Sequence, residues 1–131
     1  MTDTTFRQIE QILQIKDEGK QPKESLEIWY ESVRDKILRD FSVEDICKAC
    51  RQKLYPDYIV PHAIARLQSD SFAGEMYDGE LLVSLTKIGA EYWQIHDDQA
   101  NTLKQIIASL PGNIDDDLGN DVKNLMSKLP Q

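Results

Sequence analysis

The chain has 131 residues, about the size of one domain with a single core, and its apolar fraction of 40% and charged fraction of 29% are ordinary for a soluble globular protein. Fifteen basic and twenty-three acidic residues give a net charge of −8. No apolar run approaches the roughly 18 residues that span a bilayer. The N-terminal residues contain neither a basic nor an apolar segment, so we expect no signal peptide and a protein of the reducing cytoplasm.

The negative charge is concentrated in the second half of the chain. Residues 1–69 hold twelve acidic and eleven basic side chains, whereas residues 70–121 hold eleven acidic side chains and only Lys87 and Lys104 as basic ones. Because phosphate contacts need Lys and Arg, this distribution argues against binding of nucleic acid. It favours a basic partner, since complementary potentials speed encounter. The alternative is a surface kept acidic for solubility.

Apolar residues recur at helical spacing along nearly the whole chain, and no segment alternates as a strand does. Thr5 and Gln8 have the spacing of a capping box and open a first helix. Residues 17–25, with Gly19 and Pro22, then break the chain. A second apolar stripe predicts a helix over residues 26–41. The apolar faces of these two helices are predicted to comprise Phe6, Ile9, Ile12 and Leu13, and Leu26, Trp29, Tyr30, Val33, Ile37 and Phe41.

Three further helices are predicted in the middle of the chain. Ser42 and Asp45, three residues apart, mark the start of the third helix. Asp57 is predicted to cap the fourth helix, with Pro61 near its first turn, where a missing N–H costs least. Asp78 is predicted to cap a fifth, largely buried helix that begins "GELLVSLTKI", although the preceding segment "GEMYDGE" could also hide a short strand or hairpin.

Two more helices complete the prediction. The stripe over residues 93–110, which includes His96, predicts the sixth helix, and "PG" ends it. Three aspartates at positions 115–117 crowd the start of the seventh, where carboxylates favour the positive end of the helix dipole. We therefore predict an all-α fold, a compact single domain over residues 1–131 built as a bundle of about seven helices.

The two cysteines of the chain, Cys47 and Cys50, have the spacing C-x-x-C. A redox pair lies at the head of a helix that follows a strand, and a structural zinc site needs four ligands. Here both cysteines fall on the apolar face of the third predicted helix, and the chain offers only two histidines besides. We therefore interpret Cys47 and Cys50 as reduced core residues that pack as small apolar side chains.

The sequence has no arrangement typical of an active site. His96 lies on an apolar stripe without a nearby Ser or Cys, so we predict a hydrogen-bonded residue in the core or at its boundary. His62, near Tyr58 and Arg66, is predicted to lie at the surface. The chain contains no glycine-rich phosphate loop and no Glu-x-x-His pair. We predict a binding protein rather than an enzyme, with no catalytic residue, cofactor, metal or small-molecule substrate.

Several spaced motifs lie between residues 32 and 88: a V-E-D helix start, a following Gln, a Y-x-V-P-x-A segment and the sequence Y-x-G-E-L-L. In this combination they resemble the contact-dependent growth inhibition (CDI) immunity proteins of Gram-negative bacteria. The matching residues are Val43, Glu44, Asp45, Gln52, Tyr58, Val60, Pro61, Ala63, Leu67, Gly74, Tyr77, Gly79, Glu80, Leu81 and Leu82. Most of them are apolar or lie at helix starts, so they indicate the scaffold more than the binding site.

The resemblance implies a small cytoplasmic protein that binds and blocks the toxic C-terminal domain of an effector delivered by cell contact. Such toxins are often nucleases, which grip phosphates with basic side chains and so match the acidic second half. The candidate partner-binding residues are Glu75 and a set that we expect to be exposed, namely Tyr77, Asp78, Glu80, Asp97, Asp98, Asp115, Asp116 and Asp117. For Asp78 and the aspartates at 115–117, the alternative is a role only in helix capping. The rival function is an acidic helical adaptor or regulator of a host protein.

Overall fold

The computed structural model describes residues 4–15 and 24–130, and the regular secondary structure in these ranges is entirely helical. It comprises eight α-helices and two short 3-10 helices. The α-helices are α1 (Phe6–Ile12), α2 (Ser25–Val33), α3 (Val43–Arg51), α4 (Pro56–Ser69), α5 (Glu80–Ser84), α6 (Ala90–Ile95), α7 (Asp97–Ala108) and α8 (Asp116–Lys128), and the 3-10 helices are Leu38–Asp40 and Leu85–Lys87. The predicted all-α fold is confirmed, with one α-helix more than the seven expected.

The chain divides into two compact units, Met1–Phe41 and Ser42–Gln131. The expectation of one domain over residues 1–131 stays a prediction. Most of the break predicted over residues 17–25, including Gly19 and Pro22, lies outside the described residues.

The first unit has an aromatic core that begins at α1. The predicted capping box is present, because the Thr5 hydroxyl accepts a hydrogen bond from the Gln8 N–H while the Gln8 side chain accepts one from Thr5. Phe6 is fully buried and stacks on Tyr30, with 5.0 Å between ring centroids, and meets Phe41 edge-on at 5.2 Å. Aromatic pairs in such stacked and edge-on arrangements stabilise a core beyond the area that they bury.

The extent of both helices in this unit differs from the prediction. α1 has only seven residues, so the predicted face residues Ile12 and Leu13, at its end, are 61% and 51% exposed. The helix predicted over residues 26–41 stops at Val33. Beyond it, the Leu38 N–H donates to the Thr4 carbonyl oxygen at 2.8 Å and a 3-10 helix follows. A tertiary backbone hydrogen bond thus replaces the continued helix.

The second unit is organised around α3, which packs against α4, α5 and the second 3-10 helix. The capping box predicted at its start is present: the Ser42 hydroxyl accepts from the Asp45 N–H, and the Asp45 carboxylate accepts from the Ser42 N–H. Ile46, Cys47 and Cys50 on its apolar face are fully buried. The amphipathic pattern read from the sequence therefore identifies the core-facing side of this helix correctly.

The predicted caps of α4 and α5 are wrong. α4 begins at Pro56, one residue before Asp57, and is preceded by Tyr55 in the left-handed conformation with φ 43°. Proline at the first helical position has no N–H to leave unpaired, and its φ suits a helix. The helix therefore begins earlier in the chain than the predicted cap at Asp57 would allow. Pro61 consequently lies inside the helix rather than near its first turn. α5 is preceded by a glycine, and the Asp78 side chain forms no capping hydrogen bond.

The helix predicted over residues 93–110 consists of two helices that meet at His96. This residue has φ −112° and ψ 58°, outside the helical region. Its ring stacks on Tyr92 with centroids 4.0 Å apart, its Nδ1 lies 2.9 Å from the Tyr92 carbonyl oxygen, and its Nε2 lies 3.3 Å from Asp57 Oδ1. These contacts hold the imidazole at the junction, and it is the hydrogen-bonded boundary residue that the sequence predicts.

Both cysteines carry free, buried thiols. Burial is the main reason that the pKa of Cys47 is raised to about 11 and that of Cys50 to about 12. Since the thiolate is the nucleophile and the metal ligand, both side chains are unreactive at neutral pH. The interpretation of the pair as core residues is confirmed for its burial and its reduced state.

Changing Cys47 and Cys50 together to Ala should lower the free energy of unfolding by only about 1–2 kcal/mol, because the cavities left are small. Because the pKa of each thiol is higher in the folded than in the unfolded chain, stability should fall as the pH rises from about 9 to about 11, and less steeply in the double variant. Denaturant melts of both proteins across this range measure the effect. Rapid alkylation of the native thiols near neutral pH, or one equivalent of zinc in the purified protein, would contradict this account.

Candidate partner-binding site

Three aspartates open α8, as the sequence predicts. Asp115 is the N-cap, and its Oδ1 accepts a hydrogen bond from the Leu118 N–H at 2.7 Å. Asp116 and Asp117 occupy the first turn and are exposed, close to the positive end of the helix dipole. One carboxylate of the three thus has a structural role, while the other two face solvent.

The loop between α4 and α5, residues 70–79, is closed tightly by two glycines. A Cβ on Gly74 would lie 2.1 Å from the Tyr77 carbonyl oxygen, so no other residue fits there without displacing the backbone. Gly79 has φ +87°, a conformation that side chains disfavour, and a Cβ there would lie 3.0 Å from Leu118 Cδ1. The loop therefore ends directly against the first turn of α8.

The loop and α8 together form a concavity of about 310 Å³ with an acidic lining. It is lined by Tyr77, Asp78, Val83, Asp115, Asp117, Leu118 and Asp121. Asp117 and Asp121 are four residues apart, so they lie on the same face of α8. We call Tyr77, Asp78, Asp115, Asp117 and Asp121 the acidic groove.

The described residues do not neutralise the acidic groove. None of Asp78, Asp117 and Asp121 forms an ion pair with another side chain among residues 4–15 and 24–130. The pKa of the Tyr77 phenol is raised, first by burial and then by the charge of Glu80, with Asp121 adding to it. Clustered carboxylates without a counter-charge give the groove a negative potential that attracts cationic side chains.

The other candidate residues lie outside the groove. Asp116 lines a neighbouring concavity with Lys123. Asp97 and Asp98 are exposed in the first turn of α7 and line neither of these two concavities. Glu75 is exposed, but its carboxylate accepts a hydrogen bond from the Glu44 N–H at the start of α3.

Glu80 was expected to be exposed, and this is wrong, because its side chain is only 2% exposed. Its Oε1 accepts from the N–H groups of Glu75 at 3.0 Å and Met76 at 3.1 Å. Its Oε2 accepts from Arg51 Nη1 at 3.2 Å, while Arg51 Nη2 donates to Glu44 Oε1 at 3.0 Å. A carboxylate that satisfies two loop amides and a guanidinium is drawn inward rather than into solvent.

The two carboxylates on Arg51 have opposite pKa shifts. Burial and the adjacent Glu80 raise the pKa of Glu44. Burial alone would also raise the pKa of Glu80, but the N–H groups of Met76 and Glu75 lower it, and hydrogen bonds with Glu44 and Arg51 lower it further. Glu80 is therefore the carboxylate that keeps its charge, and its stabilising contribution is lost as the pH falls through its lowered pKa.

Two residues of this region were missed by sequence reasoning. Asp121 follows Asp117 at a spacing of four, which places both on one helix face and was a usable signal. Arg51 follows Glu44 at a spacing of seven, two turns along α3, which also predicts a shared face. No signal in the sequence indicated that Glu80 lies opposite the α3 face that carries Glu44 and Arg51, because Glu80 is 29 positions from Arg51 along the chain.

In the described part of the chain, the histidines and carboxylates do not assemble into a metal site. His62 is half-buried rather than at the surface, and burial lowers its pKa. Within residues 4–15 and 24–130, no three His, Cys, Asp or Glu side chains are arranged to hold a metal ion. In the same part of the chain, every helix is too short or too polar to cross a membrane.

The helices and the acidic groove define a helical protein with a negatively charged surface concavity. The chain belongs to the family of CDI immunity proteins, whose family model matches residues 10–105. The resemblance found in residues 32–88 is thereby confirmed. No individual curated protein matches the chain. Membership of this family makes the protein a toxin-neutralising immunity protein with a cognate toxin as its partner.

Replacing Gly79 by Ala should destabilise the protein by about 1–3 kcal/mol, because Ala must adopt a left-handed backbone and press on Leu118. Gly119→Ala is the matched control: Gly119 lies inside α8 with open space where a Cβ would lie, so Ala there should stabilise by up to about 1 kcal/mol. Chemical denaturation of both variants gives the two values. Equal stability of the two variants would contradict the tight closure of the loop against α8.

Proposed function

We propose that the protein neutralises a nuclease toxin in the cytoplasm by placing the acidic groove against the basic side chains with which the toxin holds nucleic acid. The carboxylates would occupy positions that phosphates take in the substrate complex. The observation that carries this proposal is the convergence of the loop and α8 on one concavity with three carboxylates that have no basic partner in the described residues.

The charge of the region supports a basic partner. Residues 70–121 have a net charge of −9, from eleven acidic side chains against Lys87 and Lys104. A toxin that grips phosphates needs Lys and Arg along the substrate path. Opposite potentials on the two proteins raise the rate of encounter and disfavour wrong partners.

Apolar side chains next to the groove support a contact rather than a merely solvated surface. Met76 is 75% exposed and Tyr77 is 52% exposed, both on the loop that borders the carboxylates. Tyrosine is enriched among residues that dominate binding energy, and methionine is enriched at interfaces. An exposed pair of this kind beside a negative groove suits a partner that buries apolar area while pairing its cations.

The candidate residues divide into direct contacts and supporting residues. We place Tyr77, Asp78, Asp117 and Asp121 in direct contact with the toxin. Asp97 and Asp98, together with Asp116, remain proposed as outlying contacts. Asp115 caps α8 and Glu75 holds the start of α3, so we assign them weaker contacts. Glu80 is buried and has no direct contact in this proposal.

Changing Asp117 and Asp121 together to Asn should weaken toxin binding by about 2 kcal/mol, roughly 30-fold in Kd, because charge pairs that are desolvated in an interface contribute about that much. The association rate should also depend less steeply on ionic strength than it does for the wild type. Titration calorimetry and stopped-flow association with the cognate toxin domain measure both quantities.

The matched control removes two exposed carboxylates elsewhere, Glu27→Gln with Glu91→Gln, and so changes the net charge equally. Exposed charges outside an interface contribute under about 1 kcal/mol, so affinity should hold. A further variant, Asp97→Asn with Asp98→Asn, tests the outlying pair. The proposed role of the groove is wrong if the variant Asp117→Asn with Asp121→Asn binds the toxin and protects cells as well as the control Glu27→Gln with Glu91→Gln does.

A further inference from the structure

The loop that carries Tyr77 and Asp78 is fastened to the protein interior at several points. The Gly79 N–H donates to the Phe72 carbonyl oxygen at 2.9 Å, and the Leu81 N–H donates to the Ala73 carbonyl oxygen at 3.0 Å. These bonds join the two ends of the loop. They leave the amides at its tip to be satisfied by other groups.

The Glu80 carboxylate accepts the hydrogen bonds of these loop amides. Its Oε1 accepts from the N–H groups of Glu75 at 3.0 Å and Met76 at 3.1 Å, the two residues that immediately precede Tyr77. A single oxygen that accepts two successive backbone amides determines the direction in which the chain leaves them. The side chains that follow are consequently presented to solvent from a backbone that is held from the inside.

Arg51 fixes the carboxylate in turn. Its Nη1 donates to Glu80 Oε2 at 3.2 Å and lies 3.5 Å from Ser84 Oγ, while its Nη2 donates to Glu44 Oε1 at 3.0 Å. The Glu75 carboxylate accepts from the Glu44 N–H, so the loop also contacts α3 directly. The start of α3, its end and the loop are therefore linked through one set of charges.

We propose that Glu80 and Arg51 are positioning residues for toxin binding, which hold Tyr77 and Asp78 in the binding arrangement before the toxin arrives. This inference rests on the proposed function of the acidic groove. A loop whose binding-competent arrangement is only fractionally populated has an apparent Kd equal to the intrinsic Kd divided by that fraction. The hydrogen bonds from the loop amides to Glu80 keep the loop in this arrangement and so avoid the loss of affinity. Neither Glu80 nor Arg51 has to touch the toxin for this effect.

Glu80→Gln is the most direct change, since it keeps the size of the side chain. The amide can present only one acceptor oxygen, so it cannot serve the two loop amides and Arg51 together. We expect the amides of Glu75 and Met76 to exchange with deuterium at least about tenfold faster, and the Kd for the cognate toxin domain to rise about tenfold. Arg51→Lys is the second variant: it keeps the charge but loses the planar fork that reaches two carboxylates.

A purely structural role would give a different pattern. Cys50→Ala destabilises the same unit from the buried face of α3, and serves as the control for lost stability. If Glu80 acts through the loop, Glu80→Gln should weaken binding more than Cys50→Ala does at an equal loss of melting temperature. In the background Tyr77→Ala with Asp78→Asn, Glu80→Gln should then cost little further affinity, because the residues that it positions are gone.

The outcomes separate the two proposals. Faster loop exchange and weaker binding in both Glu80→Gln and Arg51→Lys, with the effect on binding absent in the Tyr77→Ala/Asp78→Asn background, support positioning. If Tyr77→Ala/Asp78→Asn weakens binding but Glu80→Gln and Arg51→Lys do not, the groove stands and positioning is overturned. If Tyr77→Ala/Asp78→Asn binds as the wild type does, the loop contact itself is wrong and positioning falls with it.

Discussion

The contact on which the site geometry depends is the one between the Arg51 guanidinium and the carboxylates of Glu44 and Glu80. Glu80 is 2% exposed, and a buried carboxylate is tolerated only when its oxygens are paired and hydrogen-bonded. Here one oxygen accepts the guanidinium and the other accepts two loop amides. Removing one partner would leave a buried charge or buried loop amides without a hydrogen-bond partner, which is costly.

This arrangement also explains how residues of the family motif relate to the acidic groove. Glu44 and Glu80 belong to the motifs that resemble CDI immunity proteins, and both lie within the region matched by the family model. Their side chains face inward, toward Arg51. The loop wall of the groove lies inside the matched residues 10–105, whereas the α8 wall lies beyond them.

Local chemistry was sufficient to predict the helix starts at Thr5 and Ser42, because the capping box is satisfied by residues three apart. The starts at Asp57 and Asp78 were mispredicted, because Pro56 and Gly79 act through backbone conformation rather than through a side-chain oxygen. The long stripe over residues 93–110 concealed the break at His96, which separates α6 from α7. A tertiary contact with Asp57 helps to hold that break, and periodicity does not report such contacts.

The candidate residues, apart from Tyr77, were selected as acidic side chains near predicted helix starts, and those at the loop and at the start of α8 include four that line one concavity. This selection did not distinguish Asp78, which lines the groove, from Glu80, which is buried two residues later. That difference depends on Arg51, which lies 29 positions away in sequence. Whether the acidic groove contacts the toxin is tested most directly by carbodiimide labelling of carboxylates in the free protein and in its complex with the cognate toxin domain. If the acidic groove contacts the toxin, Asp78, Asp117 and Asp121 should be protected in the complex, while Glu27 and Glu91 should be labelled equally in both samples. Unchanged labelling of the groove, with protection elsewhere, would contradict this contact.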